Sequence, residues 1–368
     1  MMRFTTLLKH PAAWMTGADS DSAIVLTSRI RLARNLSDTP FPGWSRKKDR
    51  VKIMSDLRTQ VESLPEMKNA FSHELSELTS IQKQVLVERH LISREQAARG
   101  DGSAAVVNRD QTLSVMINEE DHLRLQSIRS GLHLREAYQL ITKVDQELEK
   151  KLPYAFDQEL GYLTACPTNL GTGLRASAML HLPGLVLSDH IGEVMHAVSK
   201  LGLAVRGIFG EGTESLGHLF QISNQSTLGE SEEEILDRLE RVILKMRDHE
   251  RNARLKLLED DPEMMADKVS RAYGLLNHAY VIDSKEALTY LSLVRLGADL
   301  GAFPKDVIEV CDTLLMDIEP AHLQHIAGRK LSAEERDSMR AEIIRGRLQS
   351  VPSADIGIFN NQSDQEKS

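Results

Sequence analysis

The change of texture at Ser231 constrains this chain more than any other feature. There Ser231-Glu232-Glu233-Glu234 has the form of a capping box, in which the serine and the glutamate three residues on each accept the other's backbone N–H. It opens an amphipathic helix predicted to run to about Glu259, where Asp260-Asp261-Pro262 stops it. Before Ser231, short β-rich runs alternate with helical ones and hold most of the glycine-containing turns. After it, every segment reads helical, and a second capping box, Ser332-Ala333-Glu334-Glu335, opens a last helix to about Leu348. The chain of 368 residues is long enough for two cores without metal or disulfide staples. The division is predicted at 1–230 and 231–352, with a polar, disordered tail from 353 to 368.

In the first part the strand candidates are Ala23–Leu26, Ala105–Val107, Leu113–Ile117, Gly161–Thr164, Leu203–Ile208 and Leu219–Ser223, each short and bounded by turn formers. Helices are predicted over Arg46–Leu64, Ser80–Glu88, Leu134–Lys151, Gly173–Met179 and Ile191–Leu201. Several strands read as hairpin members rather than βαβ units. The fold class is therefore α+β, an antiparallel sheet flanked by helices and followed by an all-helical domain.

Charge and composition remove whole classes of function. A formal charge of −9 argues against a general nucleic-acid binder, so a positively charged site has to be local. No uninterrupted apolar stretch approaches the roughly 18 residues of a membrane helix, and the N-terminus lacks the apolar core of a signal peptide. Two cysteines, Cys166 and Cys311, make neither a disulfide framework nor a thiolate zinc site, which fits the cytoplasm. With no Gly-Lys dipeptide there is no P-loop. Gly171-Thr-Gly173-Leu-Arg-Ala176 matches the loose dinucleotide pattern, but Cys166-Pro167-Thr168-Asn169 precedes it where a strand is required. It reads instead as a glycine hinge into a helix at Arg175.

More informative is a set of arginines at element ends: Arg29 and Arg31 after a strand, Arg124 after another, then Arg175 and Arg206. Arg29 and Arg31 share one face if their segment is extended, and arginine's planar, permanently charged fork suits phosphate oxygens. Taken singly, each reads equally well as a surface residue in a minor ion pair. Glu120 and Glu211 follow predicted strands near Arg124 and Arg206. They either pair with those arginines or face a cationic substrate and accept its proton. Cys166 is either an inert thiol or a thiolate favoured by surrounding arginines.

Thr27-Ser28-Arg29-Ile30-Arg31, Asn118-Glu119-Glu120-Asp121-His122-Leu123-Arg124, the Cys166–Ser177 segment and Arg206-Gly207-x-x-Gly210-Glu211 occur in this order. Together they resemble the ATP:guanido phosphotransferase (phosphagen kinase) family, and within it the bacterial protein arginine kinases of the McsB type. The resemblance implies an ATP site made of Thr27, Ser28, Arg29, Ile30, Arg31, His90, Arg124, Arg175, Ala176, Ser177, Ala178, Met179, Arg206, Gly207, Ile208, Phe209, Gly210 and Glu211. It implies that Glu120 and Glu211 grip the substrate guanidinium with Cys166 beside it, and that Mg²⁺ is held by phosphate oxygens and water rather than by protein ligands. Only 26 residues precede Thr27, where the small-guanidine kinases carry a helical substrate domain, so an arginine presented by a protein is the expected acceptor. Small-molecule guanidino kinase and non-catalytic phosphoarginine-binding adaptor are the alternatives.

Arg336-Asp337-Ser338-Met339-Arg340-Ala341 in the last helix places Asp337 three residues before Arg340 and the two arginines four apart. It reads either as a solvated, ion-paired face or as a site for a ligand carrying both charges. It also matches the Arg-Asp-x-x-Arg-Ala motif of the protein arginine kinases, which implies an allosteric phosphoarginine pocket at Arg336, Asp337, Arg340 and Ala341. The same resemblance implies an activator protein and a Clp-type protease as partners. Surplus amphipathic helix after Ser231 points to a homodimer.

Overall fold

The computed structural model describes residues 2–9, 11–12, 15, 23–207 and 215–361. Ten strands are described: β1 (Val25–Arg34), β2 (Phe71–Glu74), β3 (Ala104–Val107), β4 (Leu113–Ile117), β5 (Leu123–Ser130), β6 (Phe156–Asp157), β7 (Gly161–Tyr162), β8 (Leu174–His181), β9 (Leu203–Gly207) and β10 (Leu219–Asn224). Eight of them form one sheet in the order β2-β3-β4-β5-β1-β8-β10-β9, and β6 and β7 form a separate hairpin. Every neighbouring pair in the large sheet is antiparallel, as expected for a chain whose strands read as hairpin members.

Alternation sorts the central strands into two faces. Ile30, Leu32, Ala176, Ala178, Leu180 and Ile222 point into an apolar core closed by helices Lys47–Glu62, Leu134–Glu149 and the first half of Glu232–Asp260. The opposite face keeps the arginines. The long helix begins where expected: Ser231 accepts from the Glu234 N–H and the Glu234 carboxylate accepts in return. Its Ile235, Leu239 and Ile243 belong to the sheet core, whereas Leu258 belongs to a second core built by the helices that follow.

Three expectations are corrected. Gly173–Met179 is not a helix but most of β8, paired with β1 on one side and β10 on the other. Its Ala, Met and Leu are good helix formers, but burial between two ladders overrides a propensity worth only tenths of a kcal/mol per residue. The glycine hinge thus leads into a strand. At Gly173, φ is +67° and an added Cβ would lie 2.6 Å from the Arg34 Nη1, so only glycine fits. β1 extends far beyond Ala23–Leu26, through the arginines themselves, and β2 and β5 went unpredicted. Of the expected disordered tail, 353–361 is placed, with a short helix Gly357–Asn361 and Phe359 buried in the second core. Residues 362–368 lie outside the described residues.

The two halves meet along a polar seam. The Ser292 hydroxyl is hydrogen-bonded to both His181 Nε2 (2.7 Å) and His218 Nδ1 (2.6 Å). Arg295, fully buried, pairs with Asp312 at 2.7 Å and donates to the Ala23 carbonyl at 2.5 Å. Among the described residues no helix is long and apolar enough to cross a membrane.

Candidate active site

Antiparallel register brings the arginines together. Arg31 lies opposite Arg175 on β8 and opposite Gln126 on β5, two residues from Arg124, while Gln221 on β10 lies opposite Arg206 on β9. With neighbouring strands about 4.8 Å apart, residues scattered over the sequence from 29 to 206 share one face. The cost of that crowding is visible. Burial and then the charges of Arg124 and Arg175 push Arg29 down to about 10, and Arg31 is lowered by burial, Arg29, Arg124 and Arg175. Arg175 is lowered by burial, then by Arg206 and Arg124, with Cys166 acting in the opposite sense. An anion on this face would relieve the mutual repulsion of its arginines. The Nε atoms of Arg31 and Arg175 are buried without a hydrogen-bond partner, as donors awaiting ligand oxygens would be.

Neighbours fix the forks. Arg29 donates from Nη2 to Gln221 Oε1 at 2.8 Å, and Arg175 from Nη2 to Ser223 at 3.2 Å. Arg124 donates from Nη1 to both oxygens of Glu119, at 2.6 and 2.7 Å, and Ser93 donates to the same carboxylate. The supporting residues Glu119, Gln126, Gln221 and Ser223 were not singled out from the sequence. Glu119 stood inside the quoted acidic block, and only the register reveals the other three.

Not every residue of the implied ATP site faces it. Thr27, Arg29, Arg31, Ser177 and Met179 alternate onto the arginine face. Ile30, Ala176 and Ala178 point into the core, and Ser28 turns the same way, donating to the Gly131 carbonyl at 2.8 Å and accepting from the His133 N–H at 3.0 Å. For these four, strand alternation turns the side chain away from the arginine face and leaves the backbone beside it. His90, at φ +56°, lines the cavity before the arginines, and burial with the charge of Arg29 lowers it to about 3, so its imidazole is neutral. Arg206 and Gly207 close β9, whereas Ile208, Phe209, Gly210 and Glu211 lie outside the described residues.

Glu120 sits on the bend after β4, set by Asn118 at φ +56°, whose amide donates to the Arg50 and Gly102 carbonyls. Arg124 pairs with Glu119 rather than Glu120, and among the described residues no cation pairs with the Glu120 carboxylate. Burial, then Asp121 and Glu119, raise its affinity for a proton. The next residue joins this bend to the cysteine loop: Asp121 Oδ1 accepts from the Ala165 N–H at 2.7 Å and from Asn35 Nδ2 at 2.6 Å. Cys166, half-buried, follows, its sulfur 3.0 Å from the Thr168 hydroxyl. From behind, Arg34 pairs with Asp145 at 2.7 Å, donates to the Thr172 carbonyl at 2.9 Å and stacks on Tyr162.

In the helical half, Arg340 is buried and donates to Asp337 Oδ1 (2.5 Å), the Ile282 carbonyl (2.8 Å) and the Ile318 carbonyl (3.2 Å). Ala341 is in the core, and half-buried Arg336 donates to the Leu331 carbonyl at 3.1 Å. The four residues are not one exposed face. Among the described residues, no group of three or more His, Cys, Asp or Glu side chains is placed to hold a metal ion.

The model of the ATP:guanido phosphotransferase C-terminal catalytic domain matches residues 52–253. The chain belongs to the ATP:guanido phosphotransferase family. Residues 262–359 match the model of the protein-arginine kinase McsB C-terminal domain. The protein-arginine kinase of Symbiobacterium thermophilum is 47% identical over 338 residues, 91% of this chain and 96% of that protein. That of Halothermothrix orenii is 45% identical over 92% of this chain and 97% of its own length. Among solved structures, lombricine kinase superposes with a TM-score of 0.56 at 27% identity, covering 67% of this chain and 70% of that one. The duplicated taurocyamine kinase from Schistosoma mansoni gives 0.59 at 21% identity over 84% of this chain and 49% of that chain, a likeness of fold.

Proposed function

We propose that this protein is an ATP-dependent protein arginine kinase, transferring the γ-phosphoryl group to arginine side chains of proteins. The observation that carries the reading is the five-arginine face with an unpaired Glu120 at its edge, in a chain of this family. The arginines neutralise and align the triphosphate, which supplies most of what phosphoryl transfer needs. Bound Mg²⁺, held by phosphate oxygens and water, would add charge neutralisation. An acceptor guanidinium is a poor nucleophile until a carboxylate removes a proton as the new N–P bond forms and the bond from the γ-phosphorus to the bridging oxygen breaks, releasing ADP. Glu120 is exposed at the edge of the face and forms no ion pair among the described residues, which suits that role, and we assign Glu211 to share it. Cys166 follows Ala165 on the loop tied to the Glu120 bend through Asp121, and its position near Arg175 supports assigning it to the guanidinium side of the site.

The match of the helical half and the names of the relatives favour a protein-borne arginine over a small guanidine. We assign the helical half three further roles: homodimerisation, where Tyr280 and Val281 stand exposed; response to an activator; and an allosteric phosphoarginine pocket at Arg336, Asp337, Arg340 and Ala341. A phosphoarginine there would compete with the Ile318 and Ile282 carbonyls for the Arg340 fork. We further propose that the protein works in the cytoplasm and marks proteins for a Clp-type protease. Incubating it with ATP and either free arginine or a denatured arginine-rich protein tests the acceptor class. Transfer to the protein is expected, and transfer to free arginine alone would make it a small-guanidine kinase.

A further inference from the structure

The cavity in front of the arginine face has a second wall, and that wall comes from the other half of the molecule. Arg29, Arg31 and Arg124 line one side, while Glu319, Gln324 and Lys330 line the other, around about 660 Å³. That volume lies within the roughly 300–1,000 Å³ of pockets that bury most of a small ligand.

The wall is held in place. It consists of the helix Pro320–Ala327 and the turn after it. Pro320 has no N–H, so the first free donors of this helix are those of Ala321 and His322, and both are taken by Glu88 at the end of helix Ser80–Glu88, at 2.7 and 3.0 Å. Glu88 also bonds His322 Nδ1 at 2.7 Å. Two residues on, His90 lines the same cavity, and its carbonyl accepts from Gln126 at 2.6 Å. The segment 88–90 therefore joins the two sides. At the far end of the wall, Gln324 accepts from the Leu331 N–H at 3.3 Å and donates to the Pro320 carbonyl at 3.0 Å, which fixes the backbone around Lys330. Two basic residues are adjacent here and differ in kind. Arg329 is paired with Glu335 at 2.7 Å and does not line the cavity. Lys330 does, and among the described residues no carboxylate pairs with its ammonium.

We propose that the helical half completes the nucleotide cleft, with Lys330 contacting the anionic part of a bound nucleoside triphosphate and Glu88 acting as the positioning residue that sets the wall Lys330 reaches from. This rests on reading the arginine face as the triphosphate site. The chemistry fits a mobile phosphate tail: an ammonium on a flexible stem serves as a point charge where no fixed fork is needed. Because Lys330 is exposed, its contribution is modest and screened by salt.

Calorimetric titration of Mg-ATP into the full-length protein tests this. Lys330→Met is expected to weaken binding about threefold to tenfold at low salt, with the difference shrinking as ionic strength rises. Arg329→Met should bind as wild type does. Glu88→Gln should raise KM for ATP while leaving KM for the arginine acceptor in place, a split that general loosening of the fold would not produce. Arg124→Ala serves as the reference. Wild-type affinity in Lys330→Met alongside lost affinity in Arg124→Ala would overturn the proposal while leaving the arginine site standing. Wild-type affinity in both would remove the arginine reading and the proposal with it. An equal loss in Arg329→Met would reduce the effect to net charge and also overturn it.

Discussion

Glu120 and Glu119 are adjacent carboxylates with opposite assignments, and the difference is one arginine. Glu119 holds both of its oxygens on Arg124 and also accepts from Ser93, so it orients the Arg124 fork and has little capacity left for substrate. Among the described residues Glu120 has no such partner, and desolvation with two acidic neighbours raises its proton affinity against the pull of Arg124. Glu120→Gln should therefore lower kcat by roughly 10²–10⁴-fold, the usual cost of a lost general base, while ATP affinity measured by calorimetry stays put. A kcat within a factor of two of wild type would take Glu120 out of the proton transfer. Arg124→Lys should remain about 10²-fold impaired in steady-state assays, because a point charge replaces neither the fork on Glu119 nor an oriented donor to the phosphoryl group. Wild-type turnover in that variant would leave only net charge at this position. The sequence blocks picked out five arginines that the register gathers on one face, because such a set in an acidic chain is conspicuous. Within each block, though, consecutive residues were treated alike, and only the strand geometry separates Arg29 and Arg31 from Ser28 and Ile30. Gln221 and Ser223 were invisible because nothing in a single sequence marks a neutral side chain that orients an arginine on another strand, Arg29 two strands away and Arg175 on the next one.

Among elements, β8 shows where local reading fails. Its composition favours a helix, yet it is a central strand carrying Arg175 and Ser177 on one face and core alanines on the other. The Ser231 capping box, a purely local device, was legible to the residue. The loop between β7 and β8 depends on a contact that neither motif nor period announces, the buried pair Arg34–Asp145 with side chains 2% and 8% exposed. Removing one partner of a buried pair strands the other's charge. Arg34→Met is thus expected to cost about 3–5 kcal/mol in urea unfolding, and pairing it with Asp145→Asn should recover part of that loss. A cost below about 1 kcal/mol for the single variant would show the pair to be dispensable.

At the scale of the whole molecule, two cores meet through buried polar groups, and their titration sets the pH response. Burial lowers His122 and His218 to about 4 and, with a nearby arginine, His90 to about 3; His181 is lowered as well, by burial and Arg295. Between the ordinary imidazole value of 6.5 and these lowered values, the unfolded chain binds more protons than the folded one, so stability falls on acidification through that window. Glu319 acts oppositely. Burial, then Glu88, raise it to about 8 against the pull of Arg340 and Arg94, so its contribution declines as pH rises from 4.5 to about 8. Four histidines outweigh one glutamate below 6.5. The urea midpoint should fall from pH 7 toward pH 4, and Glu319→Gln should flatten the shallower decline toward pH 8; a midpoint unchanged between pH 7 and 4.5 would contradict the buried, neutral imidazoles. The two-part plan was legible in the sequence, but this seam was not, because it joins His181 and His218 to Ser292 and Arg295, which no local pattern connects. The bond formed decides whether arginine is the acceptor. With γ-labelled ATP and a denatured arginine-rich protein, an acid-labile label on the protein is expected, lost when its arginines are replaced by lysine and absent with the Glu120→Gln enzyme; an acid-stable label, or one indifferent to arginine, would contradict arginine phosphorylation.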